Sequence, residues 1–76
     1  MISYELLAQF QSNPKNVRFK DLVRVCEYYF GEGRQKGSHL IFKTPWAGDP
    51  RVNIQDKNGM AKPYQVRQVL DAIQKL

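Results

Sequence analysis

The stretch SHLIFKTPWAGDPRVNIQD, residues 38–56, decides how this chain folds. Apolar and polar side chains alternate in its first part, HLIFK, and again in its last part, RVNIQ. An alternation with period two is typical of strands that bury only one face. We therefore expect strands at 38–44 and 51–56, joined by a loop that contains two prolines and a glycine.

This alternation also predicts which side chains share a face of the first strand. Leu40 and Phe42 fall on the face expected to be buried, while His39, Ile41 and Lys43 fall on the other face. Val52 and Ile54 are the inward residues expected in the second strand. His39, the single histidine of the chain, is therefore predicted to point away from the core.

A helical period replaces the alternation upstream of these strands. The apolar stripe consists of Leu22, Val25, Cys26, Tyr29 and Phe30. Its spacing of three and four residues predicts a helix from about 19 to 30, ended by Gly31. A shorter helix near 4–11 is expected before Asn13-Pro14, with Ser3 as its N-cap.

A third helix is predicted downstream, opening at Pro63, where the missing N–H costs no hydrogen bond. The apolar stripe expected on it consists of Val66, Val69, Leu70, Ile73 and Leu76. A strand is expected to end at 34–35, and it should be short and weak because Gly31 and Gly33 disfavour a longer strand. Turns are expected at 36–37 and 57–59.

The predicted order of elements is helix, helix, three strands, helix. A three-stranded antiparallel sheet with helices on one face buries these stripes together, so the expected class is α+β. The layout is that of the double-stranded-RNA-binding-domain-like α-β-β-β-α fold with an additional short N-terminal helix. We expect residues 1–76 to form one domain, with a helical extension at about 1–14.

The composition is that of an ordinary globular protein, 42 % hydrophobic and 25 % charged. No apolar run approaches the roughly 18–20 residues that cross a bilayer. The N-terminal residues lack the pattern of a signal peptide, and a single cysteine forms no internal disulfide. These features favour a cytoplasmic location, with Cys26 as a buried core thiol.

The net charge of +5 is concentrated between residues 34 and 67. The cations of this segment are Arg34, Lys36, Lys43, Arg51, Lys57, Lys62 and Arg67, and its acids are Asp49 and Asp56. The segments on either side are each neutral. A localised positive field favours a polyanionic partner, either a nucleic acid or an acidic protein surface.

The residue types favour one chemistry over most others. No metal-ligand spacing, serine-protease triad, phosphate-binding loop or dinucleotide motif is present, so no metal or cofactor is expected. A histidine among cations suits RNA cleavage, in which the neighbouring 2′-hydroxyl is the nucleophile and the catalyst moves protons and stabilises phosphoryl charge. A non-catalytic RNA-binding module and a protein-interaction domain stay open as alternatives.

Three motifs carry a resemblance to a known family. They are NPKNVRFKDLVRVCEYYFG, RQKGSHLIFKTP and VNIQDKNGMAKPYQVRQVLDAI, and the resemblance runs from about residue 13 to the end of the sequence. The chain resembles the HicA (YcfA-like) family of mRNA interferase toxins. The resemblance implies a metal-independent endoribonuclease of a type II toxin–antitoxin system, with mRNA as substrate and a HicB-like antitoxin as partner. The protein is then expected as a monomer when free, or in a complex with the antitoxin.

The same resemblance implies the catalytic residue. The family's catalytic histidine falls on His39, within Gly37-Ser38-His39. Many members have a second histidine next to it, where this chain has Leu40, so the resemblance assigns only one proton-transfer group. Nearness to His39 in the sequence, and not the resemblance, makes Arg34, Lys36, Ser38 and Lys43 expected phosphate-binding residues. Lys62 is expected to bind phosphate because it lies beside the free N–H groups at the start of the last helix. Trp46 is expected to pack over the sheet edge, with stacking on an unpaired base as the alternative.

Overall fold

The computed structural model describes residues 4–48 and 50–76. Over these residues the chain has an α+β fold, with three α-helices and a four-stranded antiparallel sheet. The elements in chain order are α1 (Tyr4–Ser12), a 3₁₀ turn (Pro14–Asn16), α2 (Phe19–Phe30), β1 (Arg34–Lys36), β2 (His39–Lys43), β3 (Arg51–Lys57), β4 (Met60–Ala61) and α3 (Pro63–Gln74). Ser3, the predicted N-cap of α1, lies outside the described residues.

Helix α2 confirms its prediction at both ends. Leu22, Val25 and Cys26 of its apolar stripe are fully buried. Gly31 follows the last helical residue with a φ of 85°, and its N–H donates to the carbonyl of Glu27 at 3.0 Å. A positive φ at this position suits glycine because it has no Cβ.

Helix α3 begins at Pro63, as predicted. The carbonyl of Lys62 accepts the first hydrogen bonds of the helix, from the N–H groups of Gln65 at 3.0 Å and Val66 at 3.1 Å. The stripe is buried through Leu70, but the prediction was wrong for Leu76, whose surface is 54 % exposed. Helix α3 ends at Gln74, so Leu76 no longer follows the helical face that points to the core.

The strands follow one another in the sheet in the order β1-β2-β3-β4. Two-residue loops connect β1 to β2 and β3 to β4, because Lys36 lies opposite His39 and Lys57 lies opposite Met60. In the last loop Asn58 and Gly59 have φ values of 54° and 85°, the pattern of a type I′ hairpin turn. The Asp56 carboxylate also accepts the N–H of Gly59 at 2.7 Å.

The expectation of a three-stranded sheet was therefore wrong by one strand. Strand β4 has only two residues, too few for a visible alternation. It forms because the Asn58-Gly59 turn folds it back onto β3 and because the chain before α2 pairs with its other side. On that side Ala61 N–H donates to the Val17 carbonyl at 2.8 Å, and Phe19 N–H donates to the Gly59 carbonyl at 2.9 Å.

All three helices contribute to one hydrophobic core beneath the sheet. The largest fully buried side chains are Phe42, Leu22, Ile54, Val25, Val66, Val69 and Cys26. Phe10 of α1 is 2 % exposed, so the N-terminal helix belongs to this core. Gly33 also contributes to the packing, because a Cβ there would lie 2.8 Å from two ring carbons of Phe42.

Two further residues behave as the sequence predicts. Cys26 is fully buried, and burial, with a smaller effect of Glu27, raises the pKa of its thiol to about 12. Trp46 is half-buried and packs against the core, which favours the packing role expected of it. No helix in the described part of the chain has the length and apolar character of a membrane span.

Candidate functional site

The face of the sheet that points away from the core is the candidate site, and we call it the open face. The cross-strand register places on it Arg34, Lys36, His39, Ile41, Lys43, Arg51, Asn53, Gln55 and Lys57. His39, Ile41 and Gln55 are half-buried, and the others are exposed. Five of these nine residues are cations and none is acidic, so the face presents positive potential to an approaching ligand.

His39 is the first residue of β2, an inner strand of the sheet. Its side chain forms a hydrogen bond with a residue of the neighbouring strand β3. Its Nδ1 lies 2.7 Å from Oδ1 of Asn53 on β3. Because an amide oxygen only accepts hydrogen bonds, Nδ1 carries the proton and Nε2 has the free lone pair of the neutral ring. The imidazole can therefore accept a proton at Nε2.

Gln55 is the cross-strand neighbour of His39 and connects two other predicted site residues. Its Oε1 accepts a hydrogen bond from Nζ of Lys62 at 2.9 Å. Its Nε2 donates to the hydroxyl of Ser38 at 3.3 Å. Since directly opposed residues have Cβ atoms about 4.5–5.5 Å apart, Ser38 and Lys62 are both brought close to the imidazole.

A buried glutamine holds the start of α3 beside this group. Gln65 is 4 % exposed, and its Oε1 accepts the backbone N–H of Gln55 at 2.8 Å. Strand β4 has already ended at Ala61, so this side chain supplies the acceptor that a longer β4 strand would supply. The bond fixes the first turn of α3, and therefore Lys62, against β3.

The remaining predicted cations lie at different distances from His39. Lys36 is its direct partner across β1 and β2. Arg34 lies two residues further along β1, about 7 Å beyond Lys36 at about 3.3 Å per residue, and Lys43 lies about 13 Å from His39 along β2. Arg34 and Lys43 both line a shallow hollow with Glu32, whose carboxylate offsets part of their charge. Among the predicted phosphate-binding residues, Lys36, Ser38 and Lys62 are therefore the three grouped around His39 and Gln55.

Sequence reasoning missed three residues of this arrangement, namely Asn53, Gln55 and Gln65. Alternation with Val52 and Ile54 already places Asn53 and Gln55 on the outward face, which is the signal that could have found them. Their pairing with β2 depends on the path of residues 44–50, which no local pattern determines. Gln65 carries no signal, since a glutamine in the first turn of a helix is usually exposed.

The side chains around His39 include groups that could interact with a phosphodiester. Lys36 and Lys62 can bind phosphoryl oxygens, while Nε2 of His39 can remove a proton from a nearby hydroxyl. In the described ranges, no three His, Cys, Asp or Glu side chains are grouped closely enough to hold a metal ion.

Comparison with protein-family models, curated proteins and solved structures finds no significant match to this chain.

Proposed function

We propose that this protein is a metal-independent endoribonuclease that cleaves mRNA with His39 as general base. The observation that carries the proposal is the single imidazole on a cationic sheet face, held with Nε2 free by Asn53 at 2.7 Å. The resemblance to HicA (YcfA-like) toxins supports the same reading. We accordingly propose a double-stranded-RNA-binding-like topology, a type II toxin–antitoxin role in the cytoplasm, and a HicB-like antitoxin as protein partner.

The proposed reaction is a transesterification within the RNA. Nε2 of His39 takes the proton of a 2′-hydroxyl, and the resulting oxygen attacks the adjacent phosphorus. The bond from phosphorus to the 5′-oxygen breaks, which leaves a 2′,3′-cyclic phosphate and a 5′-hydroxyl that takes its proton from water. Lys36 and Lys62 stabilise the charge that develops on the phosphoryl oxygens.

Single-stranded RNA suits this face better than a rigid duplex. In-line attack requires the 2′-oxygen, the phosphorus and the 5′-oxygen to align, and a flexible strand reaches that geometry more easily than a paired one. The face is also only slightly apolar, with Ile41 and Met60 as the apolar residues that the strand register places on it. Backbone contacts from cations are therefore expected to dominate binding.

The decisive experiment measures cleavage of a labelled single-stranded RNA in EDTA by the wild type and by His39→Ala. We expect the variant to lose about 10²- to 10⁴-fold in rate, the usual contribution of acid–base catalysis, while its RNA affinity stays within a few-fold of the wild type. Gln68→Ala, an exposed site on α3, serves as the matched control and should cut normally.

The outcome separates the two classes of function. Equal cleavage by His39→Ala and the wild type would exclude the proposed mechanism. Binding without cleavage by any form of the protein would instead identify a non-catalytic RNA-binding module. A substrate with a single 2′-deoxy position at the cut site should resist cleavage there, because its nucleophile is missing.

A further inference from the structure

We propose that Asn53 is a positioning residue that makes Nε2 the reactive nitrogen of His39. This inference rests on the proposed function for its catalytic meaning, but the tautomer it requires can be measured without RNA. A free neutral imidazole carries its proton on either nitrogen, so a histidine without a partner presents a mixture of donor and acceptor to a substrate.

The hydrogen bond between His39 and Asn53 determines which of the two tautomers of the imidazole forms. Oδ1 of Asn53 lies 2.7 Å from Nδ1, a distance typical of a well-formed hydrogen bond. An amide oxygen has no proton to donate, so the bond exists only when Nδ1 is protonated. The bond also restricts rotation of the ring and, because the two nitrogens lie on different sides of the ring, leaves Nε2 outside the contact with Asn53.

The sheet determines the position of Asn53 itself. Asn53 lies opposite Ile41 in the register, two pairs along from the pair of His39 and Gln55 and therefore on the same face of the sheet. Val52 and Ile54 on either side are buried, at 6 % and 0 % exposure, so the backbone is anchored in the core at both neighbours. An orienting group on a central strand is more precise than one on a loop.

The side chain at position 53 is an amide and not a carboxylate, and this difference affects how strongly the face attracts a phosphate. Aspartate in the same place would accept the same hydrogen bond, but it would add a negative charge to a face that has none at its nine positions. That charge would repel the phosphate that the cations attract. Asparagine therefore orients the imidazole and leaves the positive field intact.

The first test is a ¹⁵N NMR measurement of the imidazole tautomer at a pH where the ring is neutral. The chain contains one histidine, so the signals need no further assignment. We expect Nδ1 to be protonated in the wild type, a mixture in Asn53→Leu, and the wild-type tautomer in Asn53→Asp. Thermal unfolding of each variant checks that the fold is intact.

The second test compares steady-state cleavage by the same proteins. We expect Asn53→Leu to lose about tenfold or more in kcat, in line with the loss of partners that orient an imidazole elsewhere. Asn53→Asp should keep kcat within a few-fold and show a higher KM. Asn16→Leu, an exposed position in the 3₁₀ turn, is the matched control and should change neither constant.

The tests distinguish failure of this inference from failure of the proposed function. Protonation on Nε2 in the wild type, or an unchanged tautomer in Asn53→Leu, overturns the role of Asn53 whether or not RNA is cut. A tautomer that depends on Asn53 in a protein that never cuts RNA supports the positioning role and rejects the nuclease.

Discussion

Lys62 differs from the other cations of the site because its ammonium group is held in place. It is half-buried and donates to Gln55 Oε1 at 2.9 Å, whereas Lys36 and Lys57 are exposed. A restrained ammonium loses less conformational entropy when it binds a phosphoryl oxygen. In the proposed reaction, Lys62 is therefore the cation that we expect to stabilise the charge of the transition state.

Lys62→Met is expected to lower kcat more than it weakens RNA binding. A restrained cation that acts on developing charge contributes mainly to the transition state, and loss of such a donor typically costs about 10²- to 10³-fold in kcat. The measurement is steady-state cleavage of single-stranded RNA. Lys57→Met, an exposed cation on the same face, is the control and should change KM slightly and kcat little. Equal effects of the two substitutions on kcat would contradict the special role of Lys62.

At the scale of elements, the site depends on the junction between α3 and β3. Gln65 closes that junction with its side-chain oxygen, which accepts a hydrogen bond from the Gln55 backbone N–H at 2.8 Å. The side chain of Gln65 forms hydrogen bonds with Gln55 and Tyr64, so we expect it to act on the site through the position of Lys62 and Gln55. A defect at the junction should therefore affect stability and activity together.

Gln65→Leu is expected to lower the free energy of unfolding by about 1–3 kcal/mol, because a buried N–H loses its acceptor. Urea denaturation measures this loss. Cleavage should fall as well, since the first turn of α3 is no longer tied to β3. Gln68→Leu, on the exposed side of the same helix, should shift the free energy by only about 0.5 kcal/mol. A stable but inactive Gln65→Leu protein would show that the junction positions the site without supporting the fold.

The elements also show which parts of the fold were predictable. Helices α2 and α3 begin and end close to their predicted limits because Gly31 and Pro63 are local signals that act within one turn. Strand β4 was missed because its formation depends on a partner more than forty residues away, the chain around Val17. His39 was assigned to the outward face by alternation alone, but Asn53 was not assigned to His39, because the register between strands is a tertiary property.

At the scale of the whole molecule, positive charge is concentrated on one layer. The open face carries five cations and no acid, whereas the exposed cations of α2 are accompanied by Asp21 and Glu27 in the same helix. RNA should therefore approach the sheet and not the helices. Binding that involves about four phosphates of a single strand has a slope of log K against log salt near about −3.

The double variant Lys36→Gln/Lys43→Gln should reduce the magnitude of that slope by about 1.4, if each cation releases one counterion from a single strand. RNA affinity measured over a series of salt concentrations gives the slope. The matched control is Lys20→Gln/Arg24→Gln, which removes the same charge from the exposed face of α2. If the control changes the slope as much as the sheet variant does, RNA binds to the helices and not to the open face.

The buried thiol of Cys26 can be used to measure how often the protein opens. With its pKa raised to about 12, the thiol forms almost no thiolate near neutral pH, and thiolate is the species that alkylating reagents attack. It is the single cysteine of the chain, so any labelling counts molecules whose α2 has left the core. The rate of that labelling measures how often the protein opens, in every variant discussed above, without an added probe.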